Sequence, residues 1–452
     1  MSLRTLEQHP PAATVDRAIT RAVESPLVRG GLTIVAGLLT GNVLGFLRVA
    51  ITAYLLGTHS AADALAVAIG PLDTLNSVLT NTMVFAFVPM LTERRGADRT
   101  ALFLKLNRVF AWVFAVLTAA VVIGAPWIMR VLAPGLDAAY VPTAVAILRI
   151  GAFSSMAAGA AAIHSALLFT DRRFAPSAFY QASLNLFTIA GALSMWKFLG
   201  VYGFAVGYTF GAWVQFAVVY FCARRGLDRD SAVRCDTKWR ELISKPGAIL
   251  IYAVAIASNI TVTRAYATHG GPGMAAALDY CMKCIGVPLA FLIMPVSNSL
   301  LPEIARLRSQ LRLREAFRLI DKTTLIAAVA AAVACGVGLA VRGPVIAQLF
   351  QRGSFTAQST RLVADVFLGL APCLVGWTLL EITSRSLFSL DKAKLPLCAA
   401  AIPVLVNVAV SVSMRSSEPR FIGLGASLGM LSAFLFLFLA ARSRRRTWLL
   451  ED

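Results

Sequence analysis

The chain has 452 residues, of which 58% are hydrophobic and 14% charged, with a formal net charge of +19 and a mean hydropathy of +0.72. This composition excludes a soluble globular protein. It does not indicate nucleic-acid binding either, because the basic residues lie in short segments between long apolar stretches, where they set membrane orientation and contact anionic lipid headgroups.

Apolar stretches of about 20 residues or more follow one another along most of the chain. A helix rises ~1.5 Å per residue, so each stretch can cross a hydrocarbon core ~30 Å thick. The sequence therefore predicts an all-α polytopic membrane protein with twelve transmembrane helices. In chain order, the predicted spans are 30–56, 64–91, 104–130, 139–168, 176–197, 201–222, 246–268, 274–302, 322–342, 358–388, 395–414 and 421–441.

The longest charged segment between spans divides them into two sets of six. Two pairs of short similar segments relate the sets: residues 87–91 resemble 300–304, and residues 171–176 resemble 391–396. Because six is even, both sets enter the membrane from the same side, which predicts two lobes that are parallel pseudo-repeats. The predicted organisation is a cytoplasmic tail (1–29), an N-terminal six-helix lobe (30–222), a cytoplasmic linker (223–245), a C-terminal six-helix lobe (246–441) and a cytoplasmic tail (442–452).

The Lys and Arg residues are distributed unevenly between the two sides of the membrane. When the connecting segments are assigned alternately to two sides, 31 of the 42 fall on the side of both termini, 7 on the other, and 4 within spans. Positively charged segments stay in the cytoplasm. We therefore expect a multi-pass protein of the bacterial inner membrane with both termini cytoplasmic.

Four cations lie within predicted spans: Arg48, Arg149, Arg264 and Lys283. An ionisable group in hydrocarbon costs about 3 kcal/mol or more, so such a group normally faces the bundle interior or a hydrated cavity. Arg48, Arg149 and Lys283 are predicted at a similar depth, ~12–15 Å below the outer surface. Cations from both halves thus predict one midmembrane cavity suited to a phosphate or diphosphate headgroup.

Polar residues accompany these cations and complete the candidate site. Asp73 and Asn76 lie on a polar stripe of the second span, and Asp63 lies at its start. No metal or cofactor site is predicted, because the Cys and His residues are dispersed. The predicted substrate-binding residues are Arg48, Lys283, Asp63, Arg149, Asn42, Asn76, Asp73 and Arg264.

Four of these candidates also have a purely structural interpretation. Lys283 is four residues after Asp279, a favourable spacing for a helical ion pair. Arg264 can extend to the membrane interface, and Arg149 can hold a helix–helix contact. Asp63 fits the role of N-cap for the second span as well as it fits the role of a functional carboxylate. Gly41 and Gly45, ahead of Arg48, form a G-x-x-x-G pattern that is typical of close helix packing.

Several motifs resemble those of the MurJ (MviN) lipid II flippases, over about residues 30–441. They are Val43–Arg48, Phe87–Pro89, Ile147–Ile150, Leu349–Thr356, the most specific of them, and Ser386–Asp391. The resemblance implies a two-lobed bundle of the multidrug/oligosaccharidyl-lipid/polysaccharide exporter type. Such proteins move an undecaprenyl-diphosphate-linked saccharide across the cytoplasmic membrane by alternating access.

The resemblance also assigns roles to individual positions. Arg48 matches a cavity arginine, Asp63 the family's aspartate and Arg149 an arginine of the fourth span. Lys283 stands where the family has an arginine, which keeps the charge but loses the bidentate geometry.

Other positions depart from the family pattern. Gly41-Asn42 stands where the family has Ser-Arg, and Val49 stands where it has an aspartate. Asn76 lies where an arginine is expected, and Gly286 lies where an acidic residue is expected. The family's last two helices are expected to be absent.

The predicted function is a flippase for lipid II, and not an enzyme. The alternatives are a flippase for another polyprenyl-linked glycan, such as an exopolysaccharide unit, and a degenerate paralogue that does not transport. A membrane glycosyltransferase or polymerase would need a paired carboxylate or base near the outer face. The expected partners are the polyprenyl-diphosphate-linked saccharide, membrane lipids and cell-wall synthesis proteins, with no nucleic acid.

Overall fold

The computed structural model describes residues 26–224, 239–290, 294–414 and 418–448. Across these residues the regular structure is helical, with no strand. In chain order the helices are α1 (Pro26–Leu56), α2 (Ser60–Thr92), α3 (Gly96–Leu132), α4 (Val141–Thr170), α5 (Ala175–Ala178), α6 (Tyr180–Leu199), α7 (Tyr202–Ala223), α8 (Trp239–Ala267), α9 (Met274–Pro288), α10 (Met294–Ser309), α11 (Leu313–Phe350), α12 (Ala357–Leu370), α13 (Cys373–Ser389), α14 (Lys394–Ala399), α15 (Ile402–Met414), α16 (Pro419–Ile422) and α17 (Leu424–Trp448).

The prediction of an all-α polytopic membrane protein is confirmed. Ten helical stretches of the described residues are long and apolar enough to cross a membrane, and α12 with α13, bent by 41° at their junction, makes up to eleven when the pair is counted as one span. The predicted eighth span contains α9 and the first part of α10, and residues 291–293 between them lie outside the described part.

Helix packing follows the same pattern in the two halves. In the first half α1 packs on α6, α2 on α4, α3 on α4, α4 on α7, and α6 on α7. In the second half α8 packs on α15, α9 on α12, α11 on α12 and α13, α13 on α17, and α15 on α17. Each second-half pair corresponds to a first-half pair six spans earlier, which is the arrangement that parallel pseudo-repeats produce.

Small residues allow the close packing at the centre of the first half. Ala157, Ala158, Ala161 and Ala162 of α4 are almost completely buried, and Gly159 leaves room for the ring of Phe114 from α3. Lipid provides no hydrophobic driving force between membrane helices, so their association depends on such close contacts. The two halves meet along α2, which packs against α8 and α9.

Several helices extend beyond the predicted spans. Helices α3 and α11, with 37 and 38 residues, are much longer than the predicted third and ninth spans. Helix α17 continues to Trp448, so most of the segment predicted as a C-terminal tail is helical, and an Arg445–Asp321 ion pair of 2.7 Å ties it to α11. Residues 1–25 of the predicted N-terminal tail and 225–238 of the predicted linker lie outside the described residues. The boundaries of the two lobes stay a prediction.

Candidate functional site

A cavity of about 270 Å³ lies between the two halves of the molecule. Helices α1, α2, α6 and α7 of the first half line it, together with α8 and α9 of the second. Three of the four intramembrane cations meet there, although they are up to 235 positions apart in sequence. The charged and polar lining residues are Asn42, Arg48, Thr52, Asp73, Thr188, Arg264, Asp279 and Lys283.

Arg48 forms an ion pair with an acid on the neighbouring helix. Its guanidinium donates to Asp73 at 3.0 Å, and the hydroxyl of Tyr208 donates to the other oxygen of the same carboxylate at 3.2 Å. Asn76 in turn donates to Tyr208 at 3.1 Å and to Ser154 at 2.8 Å. The prediction that Asn76 lines the cavity is wrong, because its side chain is fully buried and fixes Tyr208 instead.

Arg264 forms a second ion pair, within the other half. Its Nε donates to Asp279 at 2.7 Å, and its guanidinium lies flat over Gly70 of α2, where a Cβ atom would come within 2.7 Å of Cζ. The interpretation in which Asp279 neutralises Lys283 is therefore wrong, as is the one in which Arg264 extends to the interface. One guanidinium nitrogen, Nη1, is buried without a hydrogen-bond partner among the described residues.

Lys283 reaches from α9 to the wall formed by α1. Its ammonium nitrogen would lie 3.1 Å from a Cβ atom at Gly45, so this glycine makes room for the charge one helical turn from Arg48. Gly41 belongs to the same stripe, and its carbonyl accepts a hydrogen bond of 2.9 Å from Asn185 of α6. The two glycines therefore serve close helix packing, and Gly45 also leaves room in the cavity wall for Lys283. Among the described residues no ion pair or hydrogen bond satisfies Lys283.

Besides Asn76, two more predicted site residues, Arg149 and Asp63, lie outside the cavity, and Asn42 lies at its rim. Arg149 is exposed and donates to the Val122 carbonyl of α3 at 3.1 Å, so its proposed place in the cavity is wrong and the helix–helix contact is observed. Its neighbours Ile147 and Leu148 occupy the buried face of α4, which turns Arg149 outward. Asn42 is exposed and lines the cavity.

Asp63 caps a helix, but not its own. Its carboxylate accepts hydrogen bonds from the backbone N–H groups of Gly273, at 2.5 Å, and Ala276, at 2.8 Å, at the start of α9 in the other half. Gly273 has a φ of +86°, and a side chain there would collide with the Thr58 carbonyl, so the position requires glycine. The structural interpretation of Asp63 was right about capping and wrong about which helix is capped.

Further hydrogen bonds join the end of α1 to the second half. Tyr280 donates to the Gly57 carbonyl at 2.6 Å, and the Ser354 N–H donates to the Tyr54 carbonyl at 2.8 Å. Ser354 belongs to the Leu349–Thr356 motif, whose packing role the sequence did not reveal. Together with the Asp63 cap, these contacts between the two halves form what we call the inter-half latch.

The family model described as Lipid II flippase MurJ matches residues 52–451. This chain belongs to the MurJ lipid II flippase family. A lipid II flippase MurJ of Burkholderia cenocepacia is 28% identical over 439 residues, which cover 92% of this chain and 84% of that protein. The resemblance seen in the motifs is confirmed. Members of a flippase family are transporters, so the prediction that the chain is not an enzyme is confirmed as well.

Solved structures confirm the fold expected for the MurJ family. A lipid II flippase MurJ in an inward closed conformation has a TM-score of 0.80 at 18% identity, and the match covers 91% of this chain and 87% of that one. An inward-facing multidrug resistance MATE family transporter of the MOP superfamily has a TM-score of 0.76 at 11% identity, covering 90% and 96%. The two-lobed exporter architecture is therefore shared.

The second half of this MurJ-family chain also contains a buried amide cluster. Asn407 donates through Nδ2 to Oδ1 of Asn259 at 2.8 Å and to Oγ1 of Thr263 at 2.8 Å, while Asn259 donates to the Ala426 carbonyl at 3.3 Å. Asn259, Thr263 and Asn407 are fully buried. Their hydrogen bonds run to one another and to neighbouring groups of the second half, Ala426 and Ser411, and none of the three residues lines the cavity.

Proposed function

We propose that this protein translocates lipid II, an undecaprenyl-diphosphate-linked peptidoglycan precursor, across the cytoplasmic membrane by alternating access. The observation that carries this proposal is the cavity in which cations from opposite halves converge. Among the described residues, its walls bring two guanidinium groups and one ammonium group together with two carboxylates, Asp73 and Asp279. The surplus charge favours an anionic headgroup, and repels the cationic cargo of a drug exporter.

In this proposal the diphosphate binds between Arg48 and Lys283. Arg48 is held in place by Asp73, so the guanidinium is already oriented before the headgroup arrives. Lys283 supplies the charge that no carboxylate of the described residues neutralises by direct contact, and the unsatisfied Nη1 of Arg264 supplies a further donor. Phosphate oxygens accept charge-assisted hydrogen bonds from all three groups.

The inter-half latch sets the direction of access. While it is closed, the cavity is sealed at the end of α1 that contains Leu56, and the headgroup enters from the opposite end. Opening outward requires the two halves to separate at Asp63, Tyr280 and Ser354, and to approach at the other end. The polyprenyl tail stays in lipid throughout. Transport then requires only a rigid-body movement of the two halves and no covalent chemistry.

We assign the latch to the outer side of the membrane and both chain termini to the cytoplasm. The excess of Lys and Arg in the segments on the side of the termini supports this orientation. Lipid II is made on the cytoplasmic side, so a cavity open to that side receives its substrate there. Cell-wall synthesis proteins are the partners expected to consume it on the outer side.

The test is complementation of a strain depleted of its own lipid II flippase. We expect rescue by the wild-type protein and by Arg149→Ala, the matched control that removes an intramembrane arginine outside the cavity. Arg48→Ala and Lys283→Ala should fail to rescue at equal expression. Rescue by either variant would remove its assigned role. No rescue by the wild type would favour a different polyprenyl-linked glycan as substrate or a chain that does not transport.

A further inference from the structure

A second cavity lies apart from the central one, in the second half of the protein. It is a cleft of about 660 Å³ between α11, α13 and α17, near the end of α17 that carries four arginines. Most of its length is apolar, with Ile320, Leu325, Leu379, Phe434 and Phe438 in the walls. Leu325 is 66% exposed, which leaves the cleft open toward the surrounding membrane.

One end of the cleft is strongly basic. Arg442, Arg445 and Arg446 line it, against a single carboxylate, Asp321. Arg445 is engaged, because it pairs with Asp321 at 2.7 Å and lies over the Phe317 ring at 4.5 Å. Arg442 and Arg446 are exposed and form no ion pair among the described residues. The cleft thus carries two unneutralised positive charges beside an apolar slot.

A buried hydroxyl in the wall also lacks a partner. Thr324 is 9% exposed and lies three residues beyond Asp321, about one turn deeper in the membrane. Its Oγ1 is buried and makes no hydrogen bond within the described residues. Buried hydroxyl groups normally find an acceptor, so this one points to a ligand that brings an oxygen to this depth.

We propose that the cleft binds one anionic glycerophospholipid. Its phosphate would contact Arg442 and Arg446 at the membrane surface, its ester carbonyl would accept from Thr324, and one acyl chain would lie between α11 and α17. Such a molecule has, in one piece, the negative charge, the ester oxygen and the apolar chain that the cleft accommodates in the same order. The proposal concerns a site separate from the transport cavity and does not depend on which substrate is transported.

Aromatic packing lies beside the basic end of the cleft. Trp448 stacks on Phe317 with ring centroids 6.1 Å apart and planes inclined by 11°, and Lys392 lies over Trp448 at 5.3 Å. A bound lipid would therefore join α17 to α11 next to a contact that already does so. We expect it to stabilise the second half against separation of these helices.

The test is native mass spectrometry of the full chain in detergent micelles with equal amounts of phosphatidylglycerol and phosphatidylcholine of identical acyl chains. We expect the wild type to retain one phosphatidylglycerol in preference to phosphatidylcholine. The double variant R442Q/R446Q should lower this preference about 25-fold, because each surface arginine contributes about a factor of five. R108Q/R444Q is the matched control, because it removes two exposed arginines that do not line the cleft.

A further variant distinguishes binding of the whole lipid from binding of its phosphate headgroup alone. Ala328→Phe fills the apolar part of the cleft and keeps every arginine, so it should lower phosphatidylglycerol retention, whereas inorganic phosphate at 10 mM should not displace the lipid. Equal retention of both lipids by the wild type, equal behaviour of R442Q/R446Q and its control, or displacement by phosphate would each overturn the proposal. If Ala328→Phe does not fold, the arginine comparison decides alone.

Discussion

The membrane interior of this protein holds two polar regions that differ in how completely their groups are satisfied. In the cluster of Asn259, Thr263 and Asn407, the hydrogen-bonding groups are directed at one another. In the central cavity, Lys283 has no hydrogen-bond or ion-pair partner within the described residues, and Arg264 keeps an unsatisfied nitrogen. Unpaired polar groups in a membrane are costly. The difference indicates a structural role for the cluster and a binding role for the cavity.

The largest expected effect is that of reversing the cavity charge. Lys283→Glu would place a carboxylate beside the diphosphate and should lower lipid II translocation by on the order of 100-fold, because like charges at close range cost several kcal/mol. The measurement is translocation of fluorescent lipid II in proteoliposomes. Lys197→Glu, the same change at an exposed position outside the cavity, should leave the rate unchanged. Equal losses in both variants would mean a non-specific electrostatic effect.

The Asp63 cap lies between the amide cluster and the cavity in this respect, because the described groups that bind its carboxylate belong to the opposite half. Asp63→Ala should weaken the closed latch by about 1–2 kcal/mol, a roughly tenfold shift toward the outward-open state. Double electron–electron resonance measures the distance between two spin labels, attached here at positions Asp137 and Gln358 after the native cysteines are replaced. In Asp63→Ala it should show an additional population at longer distance. Asp98→Ala is the control, since that exposed carboxylate lies outside the latch. An unchanged distance distribution in Asp63→Ala would contradict the latch.

Disrupting the amide cluster should affect stability but not binding. Asn407→Ala leaves the hydrogen-bonding groups of Asn259 and Thr263 unsatisfied and should lower the free energy of unfolding by about 1–3 kcal/mol. Thermal unfolding of the purified protein measures this loss, with exposed Ser413→Ala as the control. Lipid II affinity should stay within twofold of the wild type. A selective loss of affinity without loss of stability would move the cluster into the binding machinery.

The smallest expected effect is that of sodium. In the amide cluster the oxygens of Asn259 and Thr263 face the donor nitrogen of Asn407, so they are not available to a cation. Exchanging Na⁺ for K⁺ should therefore change neither thermal stability nor the translocation rate. A rise in thermal stability specific to Na⁺ and lost in Asn407→Ala would show that the cluster opens to bind the ion.

Sequence patterns predicted which residues carry charge into the membrane, but not what those charges contact. Depth along a helix follows from counting residues, which placed Arg48 and Lys283 correctly in one cavity. The direction of a side chain depends on neighbouring helices, and for that reason Arg149 was misplaced and the Arg48–Asp73 and Arg264–Asp279 pairs were not foreseen. Each of those contacts joins helices whose relative rotation no single-helix pattern specifies.

The contacts of the inter-half latch could not be predicted from the sequence for a related reason, although one sequence feature pointed to them. Asp63 and Gly273 are 210 positions apart, so no local motif contains both. The Gly271-Pro272-Gly273 sequence, however, is typical of a turn that leaves N–H groups at a helix start unsatisfied. Such a start in an otherwise apolar region indicates that a carboxylate must come from elsewhere in the fold.

The central claim is that an unpaired cation of the second half and a paired cation of the first bind one diphosphate together. Its most direct test is the affinity of the purified protein for lipid II, measured by native mass spectrometry, in the wild type, Lys283→Gln, Arg48→Gln and Arg149→Gln. We expect a loss of about tenfold or more for Lys283→Gln and Arg48→Gln and none for Arg149→Gln. Equal affinities in all four proteins would contradict it.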